Sequence, residues 1–461
     1  MNTINAKKAT LYYLGASIFN KGVAFFTVPI FTRILSIQDF GIVNTYTAWV
    51  SILYLFVSLA LYMSVRSAFV DYPNSIDNFC CVVINFTLIW GLLLGGVVSI
   101  FSLLFCDKTT FYLTALCSIQ SLFDSIFSSL SMLLMMKFKF RLRSFLLVVP
   151  QLFSVILSIL IIFLLSEQKY FGKIIGSIIG SGILAIFSIN YIYQNSVKCF
   201  SFEYIKYGLK ISIPLVFHGL ALTVLSQSDR VMISQIRNTS ETAIYSLVYN
   251  FGMISFAVTT ALEGVYVPFF TKKMKACDFN YINELSSLYA KAICVLLSLI
   301  ILASPEVIKI LAPSEYYEGI KLVPLIVLSN YLIFIYSFYV NVEHYYKNTV
   351  SISINTIVAA TLNLLLNFYF IKEFGYLGAA ITTFISYYIS LLMHYHYSRK
   401  LNTQILKLKN FYFDSWYLIV AVAGFYLFID NTLNRLFVSC LIVFTSFFLN
   451  KSKIKNFKLD I

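Results

Sequence analysis

Apolar runs of about twenty residues follow one another along almost the whole chain, each long enough to cross the ~30 Å hydrocarbon core of a bilayer as a helix. The segments between them are too short and too sparse in polar residues to cover a soluble domain. Charged residues make up 12% of the 461 residues, against about 25% in soluble domains, and the mean hydropathy is +0.82. The chain therefore reads as an all-α integral membrane protein.

Fourteen spans are expected, near 11–31, 42–65, 79–105, 109–135, 144–165, 170–193, 208–235, 242–269, 285–304, 320–342, 349–371, 375–397, 412–429 and 432–450. With no extramembrane domain, any chemistry must take place inside the bundle or at its mouths. The opening "MNTINAKKAT" sets two lysines before a hydrophobic run, as a signal peptide does. That run is long for a signal core, contains Lys21 and lacks a small-residue cleavage site, so it reads as a retained first helix. The eight cysteines form no CxxC pair and read as small apolar residues; Cys80 and Cys81 are adjacent, a poor geometry for a bridge.

The net charge is +14. With loops assigned alternately to the two sides, 22 of the 34 lysines and arginines fall with the termini and 10 opposite, Lys21 and Lys291 lying within spans. The positive-inside rule then places both termini in the cytoplasm. Basic residues dispersed over many segments are topology anchors, and they exclude nucleic acid as a partner.

A period near 200 residues is visible. "FGKIIGSIIGS" (171–181) opens the sixth span and "FGYLGAAITTF" (374–384) the twelfth, while "FGIVNTYTA" (40–48) echoes "TAIYSLVYN" (242–250). Six spans per copy is an even number, so the copies are parallel repeats. The expected architecture is two six-helix lobes, 1–200 and 201–400, around a central cavity. Residues 401–461 add two further spans and a basic cytoplasmic tail. Gly172, Gly176 and Gly180, like Gly91 and Gly95, recur every four residues and mark close helix packing.

A charge at mid-bilayer costs about 2.5–3.5 kcal/mol even on the translocon scale, so polar residues inside spans need a reason. Lys21 lies near the middle of the first span beside Asn20, and either an acidic partner or an anionic substrate would account for it. On the fourth span Cys117, Gln120, Ser121, Asp124, Ser125, Ser128 and Ser131 share one helical face, which reads as cavity-lining, with Asp124 as partner of Lys21 or as a protonatable site. On the eleventh, Ser351, Asn355, Ala359, Asn363 and Asn367 form an i+4 ridge, open to a structural or a cavity role. Glu263, Glu343 and Lys291 fall near span ends, where snorkelling or interfacial pairing suffices. Asp229 and Arg230, in "SQSDRVMISQ", lie 21 and 22 residues beyond Gly208, where the seventh span begins. At 1.5 Å per residue that is about 33 Å, the full hydrocarbon thickness, so the pair belongs to the last turns of its helix. Adjacent side chains point about 100° apart, so each is expected to reach a different neighbour.

Neither HExxH, a GxSxG elbow, a Walker loop nor a dinucleotide fingerprint is present. His394 and His396 are spaced i, i+2 and do not share a face, so no metal site and no cofactor is expected, and enzymatic catalysis has no visible apparatus.

Three phrases, "GVAFFTVPIFTRILSIQDFGIVNTYTAW" (22–49), "IPLVFHGLALTVLSQSDRVMISQI" with "AIYSLVYNFG" (213–252), and "NLLLNFYFIKEFGYLGAAITTFISY" (363–387), carry a resemblance over nearly the whole chain. It is to the O-antigen or capsular-repeat oligosaccharide flippases, Wzx-type, of the multidrug/oligosaccharidyl-lipid/polysaccharide exporter superfamily. The resemblance implies movement of an undecaprenyl-pyrophosphate-linked oligosaccharide from the cytoplasmic to the periplasmic leaflet of a bacterial inner membrane. It also implies a basic cavity for the anionic head, and a polysaccharide polymerase and chain-length regulator as candidate partners. Lys21, Arg33, Arg230 and Lys291 fit the basic role; Asn20, Gln120, Asp124, Asp229 and Asn363 complete the cavity candidates. The drug-exporting branch carries an acidic residue in the first helix, whereas this one has a lysine and no carboxylate. A lipid II-type flippase or a drug exporter is the alternative within transport. An O-antigen polymerase is the enzyme alternative, disfavoured because no external loop is long enough.

With the cytoplasm negative, outward movement of an anion is downhill by about 2.3 kcal/mol per charge per 100 mV. Collapsing the potential at constant pH gradient is therefore expected to slow flipping in vesicles; an unchanged rate would refute potential-driven movement.

Overall fold

The computed structural model describes residues 15, 19, 22–23, 25–197, 200–408, 411–412 and 415–456, and among these every element is a helix. Lys21 and Asn20 lie outside the described residues. Backbone contacts divide the chain into two compact units, Met1–Ala243 and Ile244–Ile461. Nine of the described helices are long and apolar enough to cross a membrane, ten with one bent helix counted.

Unit 1 contains α1 (Phe25–Ile34), α2 (Ile37–Ser58), α3 (Leu61–Asp71), α4 (Ile76–Phe105), α5 (Lys108–Met136), α6 (Phe140–Leu164), α7 (Tyr170–Gln194) and α8 (Phe202–Ile236). The span expected at 42–65 is broken. Leu59 and Ala60 both adopt left-handed backbone conformations, ending α2 and starting α3. The Ser58 hydroxyl accepts the Ala60 N–H at 3.2 Å, so the donor released by the break stays paired. Neither glycine nor proline marks the spot. α8 bends by 41° between Phe217 and Gly219, one turn after Pro214, which removes a helical N–H donor.

The glycine ridge of α7 lies against α6. A Cβ on Gly176 would fall 2.3 Å from Ser158 Oγ and 2.7 Å from its Cα, so only glycine permits this approach. Side chains cap several helix starts: Ser36 accepts from Asp39 N–H at 3.0 Å, and Asp107 accepts from Thr109 and Thr110 N–H at 3.0 and 3.2 Å. The Thr110 hydroxyl and these amides hold the Asp107 carboxyl below the usual carboxylate range. At one end of the unit Tyr72, Phe79, Tyr204 and Tyr207 stack edge and face, tying α3 and α4 to α8. Cys81, read as a small apolar residue, is disulfide-bonded, while Cys80 beside it is a free, fully buried thiol.

α9 (Thr239–Lys275) crosses the division between the units. Unit 2 continues with α10 (Phe279–Leu311), a 3-10 helix (Ser314–Leu322), α11 (Val323–Tyr345), α12 (Thr349–Leu401), α13 (Trp416–Leu427) and α14 (Thr432–Asn456). Asp278 caps α10 and receives Lys273 at 3.1 Å, which with the Tyr281 N–H lowers its carboxyl pKa. The 53 residues of α12 are two limbs meeting at Gly375, whose φ of 59° and ψ of −143° are not helical. Hydrogen bonds between residues on either side of that point, Asn363 with Thr383 and Asn355 with His394, show the limbs folded antiparallel as a helical hairpin. The stretches expected as the eleventh and twelfth spans are thus the two limbs of this hairpin, with almost no connecting loop. Arg435 ties the last two helices to α10: its guanidinium donates to Leu302 O at 3.1 Å and Phe428 O at 2.7 Å and pairs with Glu306.

Gly375→Ala places a Cβ in a region of backbone space that glycine alone enters readily, at a cost on the order of 1–3 kcal/mol. A lower melting temperature of the purified variant in detergent is the expected result.

Candidate functional site

Within unit 1 the seven-residue stripe of α5 does lie on one face, and it packs against α2. Cys117, Ser121, Ser125 and Ser131 are buried, and Gln120, Asp124 and Ser128 are half-buried. Ser121 donates to Cys117 O within its own helix at 2.7 Å and to Val50 O of α2 at 3.3 Å; Ser125 donates to Ser121 O at 2.6 Å. A buried hydroxyl left without a partner costs about 1–3 kcal/mol, and these helix carbonyls satisfy it locally. The buried edge of the stripe is therefore a helix-packing seam.

The half-buried edge recruits side chains from other helices. Tyr46 of α2 donates to Gln120 Oε1 at 2.8 Å, and Tyr54, two turns on, donates to Ser128 Oγ at 2.8 Å. The eight-residue spacing on α2 matches that on α5, which is why both pairs form at once. Ser181 of α7 donates to Asp124 Oδ1 at 2.6 Å, and Arg143 of α6 donates to Ser131 Oγ at 3.0 Å. Two phenols, a carboxamide, a carboxylate and hydroxyls thus line up over about three turns of α5. Such a set can bind and orient a hydroxyl-rich group or hold a proton. Among the described residues no three His, Cys, Asp or Glu side chains are grouped to hold a metal.

The basic candidates are dispersed. Arg33 is exposed in the last turn of α1 and donates to Pro29 O at 2.9 Å. Asp229 and Arg230 lie in the last two turns of α8, as their spacing implied, and at 1% and 7% exposure both are buried among neighbouring helices. Arg230 donates to Gln227 Oε1 at 2.7 Å, one turn back. Lys291 is half-buried in α10 of unit 2. Lys173 stands with its ammonium 4.4 Å from the Phe31 ring centroid, joining α7 to α1 by a cation–π contact. Nothing in the spacing of these two residues signals that contact.

In unit 2 the α12 ridge faces its own second limb. Asn363 is fully buried; it donates to Thr383 Oγ1 at 3.4 Å and accepts from Asn367 at 3.2 Å, while Thr382 donates to Asn367. Asn363 therefore holds the hairpin closed. Glu343, read as an interfacial residue, is fully buried and meets His394 at 2.8 Å; His396 on the other face is exposed. The divergence of the two histidines was legible from their spacing. The Glu343–His394 pair, 51 positions apart, was not.

Tyr46→Phe and Gln120→Met each remove the same bond. A double-mutant cycle on thermal stability is expected to give a coupling of about 0.5–1.5 kcal/mol. Additive effects would mean the phenol and carboxamide do not act together.

Comparison with known proteins bears on the whole chain. It is 23% identical over 403 residues to an uncharacterized membrane protein of Haemophilus influenzae, covering 84% of this chain and 93% of that one. Its fold superposes on the inward closed conformation of the lipid II flippase MurJ with a TM-score of 0.76 at 20% identity, over 96% of this chain and 100% of that one. A multidrug resistance MATE family transporter of the MOP superfamily, inward-facing, matches with a TM-score of 0.58 at 12% identity, over 85% and 94% of the two chains. The fold is thus one shared with the lipid II flippase and the multidrug transporter. The model of the polysaccharide biosynthesis protein family matches residues 6–274, more than half of the chain, and the chain belongs to that family.

Proposed function

We propose that this protein is a flippase that carries an undecaprenyl-pyrophosphate-linked oligosaccharide repeat unit from the cytoplasmic to the periplasmic leaflet of the inner membrane. The product would feed O-antigen or capsule assembly. The observation that carries the reading is the combination of polysaccharide-biosynthesis family membership with a fold shared with a lipid flippase over 96% of the chain. A fold shared with a flippase and a transporter suits translocation better than bond-making, which weighs against the polymerase reading.

The half-buried edge of α5 supports the reading from the side of chemistry. Tyr46, Gln120, Tyr54, Ser128 and Asp124 offer aromatic faces and directional hydrogen bonds, the two features that recognise sugars. The pyrophosphate needs cations. Lys21 is the residue proposed to meet it, with Arg33, Lys173, Arg230 and Lys291 as further positive charge. In this proposal the two six-helix repeats alternate access to a shared cavity, and both termini face the cytoplasm.

Deleting the gene is expected to leave a lipid-linked repeat unit accumulated in the cytoplasmic leaflet, identified by mass spectrometry of extracted lipids. A strain with no lipid-linked glycan in excess would rule the proposal out. Lys21→Ala, expressed at normal level, is expected to reproduce that accumulation; normal surface polysaccharide in this variant would remove Lys21 as the head-group contact.

A further inference from the structure

The break between α2 and α3 falls among residues that ordinarily continue a helix. From Ser51 to Met63 the chain reads "SILYLFVSLALYM", without glycine or proline. Yet Leu59 (φ 44°, ψ 27°) and Ala60 (φ 52°, ψ 21°) both stand in the left-handed region, which a residue with a Cβ enters at a cost. The local sequence favours an uninterrupted helix, so the break depends on its surroundings.

Hydrogen bonds identify those surroundings. In an uninterrupted helix the Ala60 N–H would donate to the Phe56 carbonyl. Here that N–H turns to Ser58 Oγ at 3.2 Å, and the carbonyl accepts instead from the indole Nε1 of Trp90, on α4, at 2.9 Å. A donor and an acceptor released by the same rupture are thus each met by a side chain. Helical bonding then resumes, Met63 N–H donating to Ala60 O at 2.9 Å. α4 comes this close because Gly91 follows Trp90: a Cβ there would fall 3.0 Å from Val57 Cγ1 and 2.7 Å from Leu122 Cδ1. The break also reaches the candidate site. Tyr54, which donates to Ser128 Oγ of α5, has its ring centroid 6.2 Å from that of Tyr62 on α3. Eight residues of continuous helix would set the two backbones about 12 Å apart along the axis and on faces about 80° apart, so the bend brings Tyr62 back against Tyr54.

We propose that this break is a two-state hinge latched in its bent state by Trp90. In the bent state the indole holds the Phe56 carbonyl and Tyr62 rests against Tyr54. In the straight state the Ala60 N–H recaptures that carbonyl, α2 and α3 become one helix from Ile37 to Asp71, and Tyr62 leaves the polar edge of α5. Straightening gives up the Trp90 bond and the packing of α3 on α5 and α8. It gains a helical hydrogen bond and releases two residues from the left-handed region, and these opposing terms keep both states within reach. The aromatic part of the candidate site is thereby conditional on the hinge, whatever the protein carries.

The test is the distance across the break, measured by double electron–electron resonance on the full chain in lipid nanodiscs. Spin-labelled amino acids are encoded at positions 49 and 70, since Trp49 and Val70 are exposed at 44% and 73%. One continuous helix sets these backbone positions about 32 Å apart, and the bend shortens that distance. Wild type is expected to show a major short distance and a minor population at the helical one. Trp90→Phe keeps a ring and removes the N–H, and is expected to raise the long-to-short ratio about three- to tenfold, the worth of one hydrogen bond. Ala60→Gly admits the left-handed conformation freely and weakens the helix, and is expected to lower the ratio. Identical distributions in wild type and Trp90→Phe overturn the latch; no population at the helical distance in any of the three chains overturns the second state. Should Trp90→Phe fail to fold, Ser58→Ala, which removes the acceptor of the Ala60 N–H, is expected to move the ratio the same way, and an unchanged ratio overturns the proposal. Because the readout is a distance, the hinge can fail while the flippase reading stands.

Discussion

A hydrocarbon slab contains nothing with which a peptide group can hydrogen-bond, and this shortage shapes both units. Backbone donors and acceptors are satisfied inside helices, and where the helices fail a side chain steps in, as Ser58 does for Ala60 at the break between α2 and α3. Hydroxyls follow the same logic. Thr32, Thr45, Thr47, Ser121 and Ser125 return their protons to carbonyls four residues back, at 2.6–3.0 Å. A serine-rich membrane helix is therefore less polar towards its neighbours than its composition suggests.

What cannot be satisfied within one helix becomes the glue between helices, and the two units use it differently. In unit 1 the phenols of α2 reach across to α5, and α7 contributes Ser181 to Asp124, leaving part of the polar edge accessible. In unit 2 the amides of α12 are consumed inside its own hairpin, which has almost no loop to hold it and relies on Asn363, Asn367, Thr382 and Thr383. The first arrangement can give and take hydrogen bonds with a passing molecule; the second fixes a fold. This contrast makes α5 a better candidate for substrate contact than α12, although the two stripes look alike when written as periodicities.

Much of the site was legible because helical geometry turns spacing into direction. The α5 stripe, the glycine ridge of α7 and the opposite faces of His394 and His396 follow from 3.6 residues per turn. The position of Asp229 and Arg230 near a helix end followed from counting rise per residue, whereas their burial depended on which helices stand beside α8. Lys173 over Phe31, Arg435 on α10 and Glu343 against His394 join residues 51 to 142 positions apart, and no local rule encodes such pairs. The break at Leu59 and Ala60 was hidden for another reason. Ala60 is buried and Leu59 packs half-buried against the unit's core, tertiary surroundings that accompany a left-handed conformation neither residue favours by itself.

The sequence alone determined that this chain lives in a membrane, that it is helical, roughly where its helices lie and which of their faces are polar. Hydropathy and period carry that information because every span meets the same solvent. Tertiary structure decided which polar faces are spent on packing and which stay open, and which buried charges find partners. Those outcomes depend on the neighbour across the interface, and a stripe of serines or asparagines is written the same way whether a helix or a substrate is to meet it.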